Sequence, residues 1–263
     1  MLVDSHCHLD MIADHRDLDE VIGRARRTGI RTMVTISTTL SGWDRVKRIA
    51  ETYDDVWCSV GVHPHEAGPE GQSAPDRLIE LAQHPRVVGI GESGLDYHYD
   101  NSPRQAQADS FRTHIVAARE TGLPLIVHAR EADEDTAAIL REGYDQGPFA
   151  CVMHCFSSGI GLAEAALDLG FYISMSGIAT FKKAQEIRDV AKLVPQDKLL
   201  VETDAPYLAP TPHRGRPNEP SYVSHTADSL CETLGLGRAE LERRTTDNFF
   251  RLFSRAERPA EAA

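Results

Sequence analysis

The sequence predicts an α/β protein with the fold of a single-domain (β/α)8 TIM barrel. Short apolar runs rich in β-branched residues alternate with polar segments of helical period along the 263 residues. Such alternation is typical of a parallel sheet built from βαβ units. The apolar runs number eight, which is the strand count of a closed barrel. An open doubly wound sheet is the alternative, but no GxGxxG motif follows the first run, which disfavours it.

The predicted elements alternate in chain order. The strands are 2–6, 31–37, 56–62, 87–92, 123–129, 149–155, 171–177 and 198–204. The helices are 17–28, 104–121, 132–142, 160–169, 182–193, 222–234 and 238–253. The first of these helices is typical, because Leu18, Val21 and Ile22 fall on one helical face. We expect residues 1–255 to form one domain and residues 256–263, which are small and charged, to be a disordered tail.

Composition limits the classes of partner. The formal net charge is −12, whereas nonspecific adhesion to polyanions requires a basic surface. The chain has no run of about 18 apolar residues, so no membrane span is expected, and its start does not resemble a signal peptide. Five scattered cysteines indicate free thiols in a reducing compartment. We therefore expect a cytoplasmic protein, and the sequence identifies no protein partner.

Six residues suited to metal binding stand at the carboxyl ends of predicted strands. They are His6, His8, Glu92, His128, His154 and Asp204. In a (β/α)8 barrel these strand ends meet at one mouth, which is where active sites are built. The sequence therefore predicts that residues far apart along the chain form a single site.

The donor types suit a pair of divalent ions. Side chains at i and i+2 of a strand point to one side, so His6 and His8 can chelate one ion while Cys7 points away. Glu92 has two oxygens and can bridge two ions, His128 and His154 can complete the second site, and Asp204 can add an oxygen or accept a proton. This nitrogen-rich donor set is compatible with Zn²⁺, Mn²⁺, Co²⁺ or Fe²⁺, since a pure Mg²⁺ site uses mostly oxygen.

The motifs around these residues resemble the TatD family of metal-dependent deoxyribonucleases, within the amidohydrolase-like metal barrels. The resemblance extends from Val3 to about Phe253. It rests on DSHCHLD (4–10), GVHPHE (61–66), GIGESGLDYHYD (89–100), LPLIVHAR (123–130), HCFSSG (154–159), LLVETDAPYLAP (199–210) and RGRPNEPSYV (214–223). HCFSSG departs slightly from the usual HCFSG pattern but leaves His154 in place.

The resemblance implies roles for the matching residues. One metal would be held by His6, His8, Glu92 and Asp204, and a second by Glu92, His128 and His154, with Mg²⁺ or Mn²⁺ as the family's ions. The family activity is hydrolysis of DNA phosphodiester bonds, often as a 3′→5′ exonuclease. We expect Asp204 and Glu92 to be catalytic, with Asp204 orienting or deprotonating a metal-activated water. Two divalent ions would also offset the acidic surface locally.

Further residues are predicted to surround the site. The substrate-contact candidates are His63, His65, Tyr97, Arg130, Tyr207, Arg214 and Arg216, each read alternatively as an ordinary loop, packing or surface residue. Glu202 is predicted to be a buried acid that supports a ligand, by bonding to His6 or to backbone. The few aromatic residues near the mouth favour a DNA 3′ end or short single strand over a long coated strand.

Two other functions use the same site. A metal-dependent amidohydrolase, lactonase or phosphotriesterase acting on a small molecule needs similar ligands. Many amidohydrolases have a carbamylated lysine where this sequence has Glu92, so the carboxylate favours the resemblance to the TatD family and leaves the substrate open. A non-catalytic barrel is the third alternative, and the complete ligand set argues against it.

Overall fold

A single sheet of eight parallel strands, in the order β1 to β8, forms the centre of the molecule. The computed structural model describes residues 1–70 and 74–260. Within them the strands are β1 (Leu2–Cys7), β2 (Ile30–Thr35), β3 (Val56–Val60), β4 (Val87–Asp96), β5 (Leu125–Arg130), β6 (Cys151–Met153), β7 (Tyr172–Met175) and β8 (Leu199–Val201). The backbone closes the sheet where Cys7 bridges Ala205 after β8 and His8 N donates to Ala205 O at 2.7 Å. The predicted single-domain TIM barrel is confirmed.

Helices cover the outside of the barrel. They are α1 (Leu9–Ala13), α2 (Leu18–Arg27), α3 (Trp43–Thr52), α4 (Pro75–Leu81), α5 (Arg104–Thr121), α6 (Asp133–Asp145), α7 (Ile160–Asp168), α8 (Gln185–Leu193), α9 (Val223–Leu234) and α10 (Arg238–Leu252). All seven predicted helices are present, whereas α1, α3 and α4 were not predicted. No helix in residues 1–70 and 74–260 is long and apolar enough to cross a bilayer.

The core has two layers. The larger apolar cluster fills the space between strands and helices, and Cys7 belongs to it. The smaller cluster lies inside the barrel and takes one side chain from every strand: Val3, Val34, Trp57, Val88, Ile126, Val152, Tyr172 and Leu200. Phe249 and Phe253, at the end of α10, join this inner cluster. The inner layer is therefore a packed base below the polar mouth.

The predicted tail begins against the barrel. Ala256 belongs to the inner apolar cluster, and Arg258 pairs with Asp247 of α10. Residues 261–263 lie outside the described residues. Disorder of 256–263, and the boundary at 255, stay predictions.

Candidate active site

The six predicted ligands meet at the carboxyl end of the barrel, around Glu92. One carboxylate oxygen of Glu92, Oε2, lies 3.4 Å from His6 Nε2 and 3.8 Å from His8 Nε2. Asp204 Oδ1 lies 3.7 Å from His6 Nε2 and 3.4 Å from His8 Nε2. These four atoms form the first donor cluster. Cys7 turns away as predicted, and its thiol donates to Val34 O at 3.4 Å.

The other oxygen of Glu92 faces a second cluster. Oε1 lies 2.7 Å from His154 Nε2 and 3.0 Å from His128 Nδ1. His63 Nε2 also approaches it, at 3.4 Å. The two oxygens of one buried carboxylate thus address two different sets of nitrogen donors, which is the arrangement that a bridging ligand requires.

The tautomers of three histidines follow from the hydrogen bonds of the ring nitrogen that does not face Glu92. His128 Nε2 lies 3.1 Å from Asp96 Oδ2, and His154 Nδ1 lies 3.1 Å from Glu202 Oε1. Since a carboxylate only accepts, both nitrogens donate, and each ring in its neutral form turns a lone pair toward Glu92. His63 differs, because its Nδ1 accepts the backbone N–H of His65 at 3.1 Å. Its Nε2 therefore carries the proton, so His63 faces the site as a donor.

The donor set fits metal ions. Within the described part of the chain, His6 Nδ1, His6 Nε2, His8 Nδ1 and Glu92 Oε2 are buried without a hydrogen-bond partner. Unpaired buried polar atoms are costly, and converging lone pairs need a cation between them. Three sets of three described residues bring one ligand atom each to within 4.8 Å of the others: His6–His8–Glu92, His63–Glu92–His128 and His6–His154–Glu202. Both imidazole and carboxylate are ordinary ligands for divalent transition metals.

The pKa shifts of the site histidines also indicate that the site favours a positive charge. Burial disfavours the charged form of His154, yet the carboxylates of Glu92 and Glu202 raise its pKa well above the usual value. Burial likewise opposes protonation of His8, whose pKa is nevertheless raised by its hydrogen bond to Asp204. For His63 burial dominates and lowers the pKa to about 4. The buried carboxylates therefore draw a cation to the site, while His63 stays neutral.

Backbone geometry fixes the ligands that follow strands. Asp204 lies three residues beyond β8 with a left-handed φ of 58°, and its N–H donates to His6 O at 2.9 Å. Asp4 holds the preceding residue, accepting from Thr203 N at 2.9 Å and Thr203 Oγ1 at 2.6 Å. A non-glycine residue in this region is strained and needs such support. The turn after β8 is thus braced against β1.

Asp96 is a site residue that sequence reasoning missed. β4 was predicted to end at Glu92 but continues to Asp96. Its Oδ2 lies 3.1 Å from His128 Nε2 and 2.9 Å from His65 Nε2. Burial favours the neutral acid, but hydrogen bonds from His128 and from the Tyr99 backbone hold the pKa of Asp96 well below its usual range. The signal was present in GLDYHYD, where an acid follows Glu92 at four residues.

Glu202 is a buried acid, and it bonds to backbone, which was one of its two predicted partners. Its Oε1 accepts from the Cys155 backbone N–H at 2.7 Å and lies 3.1 Å from His154 Nδ1. The bond is to His154 rather than to His6. Glu202 thereby fixes both the tautomer of His154 and the turn that follows it.

Two clefts open on the site and share His128, Arg130 and Asp204. The histidine cleft, of about 590 Å³, is lined by His63, His65, Tyr99 and Tyr207 among others. The acidic cleft, of about 760 Å³, is lined by Glu131, Asp133, Glu134 and Asp135 with the loop after β6.

Arg130 lies on the ridge between the clefts. Its guanidinium stacks over Tyr99, 4.7 Å from the ring centroid. Among the described residues, no carboxylate oxygen lies within ion-pair distance of it. Tyr99 and Tyr207 are 55% and 53% exposed, so their rings remain available beside the site. Tyr99, like Asp96, was not singled out from the sequence.

The remaining predicted contacts are less central. Tyr97 lines the acidic cleft, but its hydroxyl donates to Asp135 at 2.6 Å and Arg104 covers its ring at 4.0 Å. Arg214 stacks over Phe181 at 3.6 Å, and Arg216 is exposed. Among the described residues that line the two clefts, neither of these arginines is present.

Comparison with known proteins identifies the family. The family model described as "TatD related DNase" matches residues 3–254. The chain belongs to this family. A relative named "Uncharacterized metal-dependent hydrolase YcfH", from Escherichia coli K12, is 45% identical over 260 residues, covering 96% of this chain and 95% of the relative. The resemblance drawn from the motifs is confirmed, and the protein is a metal-dependent hydrolase.

Two further similarities bear on the site. A Klebsiella pneumoniae protein named "3'-5' ssDNA/RNA exonuclease TatD" is 35% identical over 243 residues, covering 90% of this chain and 92% of that protein. The crystal structure of YJJV, a TatD homologue from Escherichia coli K12, superposes with a TM-score of 0.86 at 29% identity, covering 96% of this chain and 98% of that one. The barrel fold is therefore shared with another family member.

Proposed function

We propose that this protein is a 3′→5′ exonuclease that hydrolyses phosphodiester bonds at DNA ends, with two divalent ions held around Glu92. The observation that carries the proposal is that the two carboxylate oxygens of Glu92 face different donors. Oε2 faces His6 and His8, and Oε1 faces His128 and His154. The substrate class is supported by the family description and by the name of the Klebsiella relative.

The ligands of each ion follow from the two clusters. His6, His8, Glu92 and Asp204 would hold one ion, and Glu92, His128 and His154 the other. The nitrogen-rich set accepts Mn²⁺ or Zn²⁺, and Mg²⁺ or Mn²⁺ is implied by the family resemblance. Bound divalent ions would neutralise phosphate charge and lower the pKa of water.

The side chains of the site divide the remaining work. Asp204 opens on both clefts, where its carboxylate orients the attacking water and accepts its proton. His63 presents Nε2–H to the same space, so it donates to a phosphate or leaving oxygen. Arg130, stacked on Tyr99, offers a guanidinium to a neighbouring phosphate. Tyr207 and Tyr99 provide exposed rings for a base, and His65 is held beside them by Asp96.

The test is a nuclease assay on 5′-labelled single-stranded DNA after reconstitution with Mg²⁺, Mn²⁺ or Zn²⁺. We expect stepwise shortening from the 3′ end with at least one ion. Asp204→Asn should lower kcat about a hundredfold or more, whereas Asp168→Asn, at an exposed carboxylate of α7, should match wild type. Absence of DNA cleavage with every ion, together with turnover of lactone, amide or phosphotriester substrates, would replace the proposal with the small-molecule alternative.

A further inference from the structure

The two clefts at the site differ sharply in charge. Asp133, Glu134 and Asp135 form the first turn of α6, and Glu131 precedes them at the same cleft. Against these four carboxylates stands Arg130 alone, since the other lining residues of this cleft outside the metal clusters are neutral. Among the described residues lining the histidine cleft, Glu66 is the one acid outside the metal clusters and Asp96, and the same lining includes Arg130.

None of the four carboxylates is neutralised by a lysine or arginine among the described residues. Glu131 accepts from His98 Nδ1 at 2.6 Å, and Asp135 accepts from the hydroxyl of Tyr97 at 2.6 Å. Asp133 Oδ2 accepts from Gly159 N at 3.1 Å, which ties the loop after β6 to α6 across the cleft. Within the described chain Glu134 has no hydrogen bond or ion pair. Among the described residues, the negative potential of the cleft is therefore opposed only by Arg130 and, when it is protonated, by His98.

The same carboxylates cover a helix start. The amino end of α6 carries the positive pole of its dipole and would otherwise attract a phosphate. Three acids in its first turn reverse the sign of this surface. A polyanionic strand cannot continue through the acidic cleft without bringing phosphates against these charges.

We infer that the acidic cleft receives the terminal nucleoside of the DNA strand and selects a free 3′-hydroxyl over a 3′-phosphate. This inference rests on the proposed exonuclease function and assigns the rest of the strand to the histidine cleft. A 3′-hydroxyl is a hydrogen-bond donor and suits carboxylate acceptors, whereas a phosphate dianion offers only acceptors and repels them. At about 760 Å³, the cleft has the size of sites that bind small ligands.

The experiment compares two 5′-labelled single strands of one sequence, ending in a 3′-hydroxyl or in a 3′-phosphate. For wild type we expect kcat/KM to favour the hydroxyl end by roughly tenfold or more at 0.1 M salt. The preference should shrink at higher salt, because the Debye length falls from about 10 Å at 0.1 M to about 3 Å at 1 M.

A triple variant, Glu131→Gln with Glu134→Gln and Asp135→Asn, removes three charges and keeps oxygen acceptors for His98 and Tyr97. We expect it to reduce the hydroxyl preference severalfold. The matched control is Glu120→Gln with Asp168→Asn and Glu232→Gln, three exposed carboxylates on outer helices, and it should keep the wild-type preference. Glu134→Gln alone, which breaks no hydrogen bond of the described chain, should shift the preference in the same direction if the triple variant folds poorly.

The outcomes separate the two levels of the proposal. Equal hydrolysis of both ends by wild type, or a preference unchanged in the charge-neutralised variants, would overturn the role of the acidic cleft and leave the nuclease function standing. Failure to shorten either strand with any divalent ion would overturn both.

Discussion

At the scale of single residues, the proton on each imidazole decides what that residue can do. His128 and His154 commit their outer nitrogens to Asp96 and Glu202, which leaves lone pairs toward Glu92. His63 also approaches Glu92, at 3.4 Å, but its Nδ1 lone pair accepts the backbone N–H of His65. Proximity alone groups His63 with the ligands, whereas the hydrogen bonds assign it a donor role.

This distinction predicts different results for two alanine variants. His128→Ala should lower the number of metal ions bound per chain, because it removes a lone pair from the second cluster. His63→Ala should leave the metal content unchanged and lower kcat roughly a hundredfold, since it removes a hydrogen-bond donor to the substrate. Elemental analysis after dialysis, paired with the nuclease assay, measures both. Loss of a metal ion from His63→Ala would show that His63 is a ligand.

The convergence of the six candidate ligands could be predicted from sequence because it follows from the topology of the barrel. His6, His8, Glu92, His128, His154 and Asp204 each lie at or just after a parallel strand, and barrel closure brings such positions together whatever the exact strand end. Asp96 and Tyr99 could not be predicted in this way. Their positions depend on how far β4 extends and on how the following turn folds back over Arg130.

At the scale of elements, β4 is the strand that organises the mouth. It spans ten residues, carries both Glu92 and Asp96, and has a register irregularity against β5 between Ile90 and Ser93. Gly94 sits beyond that irregularity with φ at 144°, and a Cβ there would lie 2.0 Å from His128 O. The close approach of β4 to β5 at His128 therefore requires glycine.

Gly94→Ala should destabilise the protein by several kcal/mol, because it combines a backbone clash with a disfavoured φ. Gly122→Ala is the matched control. Gly122 also has a positive φ, of 69°, but a Cβ there meets nothing within 4 Å, so the expected cost is about 1 kcal/mol. Urea unfolding followed by circular dichroism gives both values. Similar midpoints for the two variants would mean that the strands can separate at Gly94 without cost.

In β1 the rule of strand alternation predicts the correct facing of the two histidines, although the strand itself is not regular. Alternation predicted that His6 and His8 face inward and Cys7 outward, and the structure agrees. Val3, however, also points inward, so strict alternation from Val3 would turn both histidines outward. The pairing of β1 with β2 is irregular between Asp4 and Cys7, and that irregularity changes the facing. Local bulges of this kind depend on neighbouring strands and leave little trace in one sequence.

At the scale of the whole molecule, stability should depend on pH through a histidine outside the metal site. His114 of α5 is fully buried, accepting from Val62 N at 2.9 Å and donating through Nδ1 to Ser110 O at 2.7 Å. Burial lowers its pKa from 6.5 to about 4. The unfolded chain therefore takes up a proton at a higher pH than the folded chain, and stability falls as pH drops through this window.

His114→Gln should remove this dependence. From the lowered pKa, wild type should lose roughly 3 kcal/mol between pH 6.5 and pH 4 through this residue. For the glutamine variant, the free energy of unfolding should depend less steeply on pH over that range, by the equivalent of up to one proton. This holds even if the variant is less stable throughout. His15→Gln, at an exposed histidine, should retain the wild-type slope. Free energies of unfolding in urea at a series of pH values test this, and parallel curves for wild type and His114→Gln would contradict it.

The distribution of charge over the molecule determines how the proposed DNA substrate would be held. A chain of net charge −12 repels a polyanion except at the metal site and at Arg130, so few phosphates can be contacted. Since each phosphate contact with single-stranded DNA contributes about 0.7 to the slope of log affinity against log salt, we expect a shallow slope, below about 2 in magnitude.

Arg130→Met should lower kcat/KM roughly tenfold to a hundredfold and reduce the slope of log affinity against log salt by about 0.7. Arg141→Met, at an exposed arginine of α6, should match wild type in both, because Arg141 is not among the described residues that line either cleft. A steep salt dependence that persists in Arg130→Met would instead indicate a more extended basic contact, with Arg214 and Arg216 as the first residues to examine.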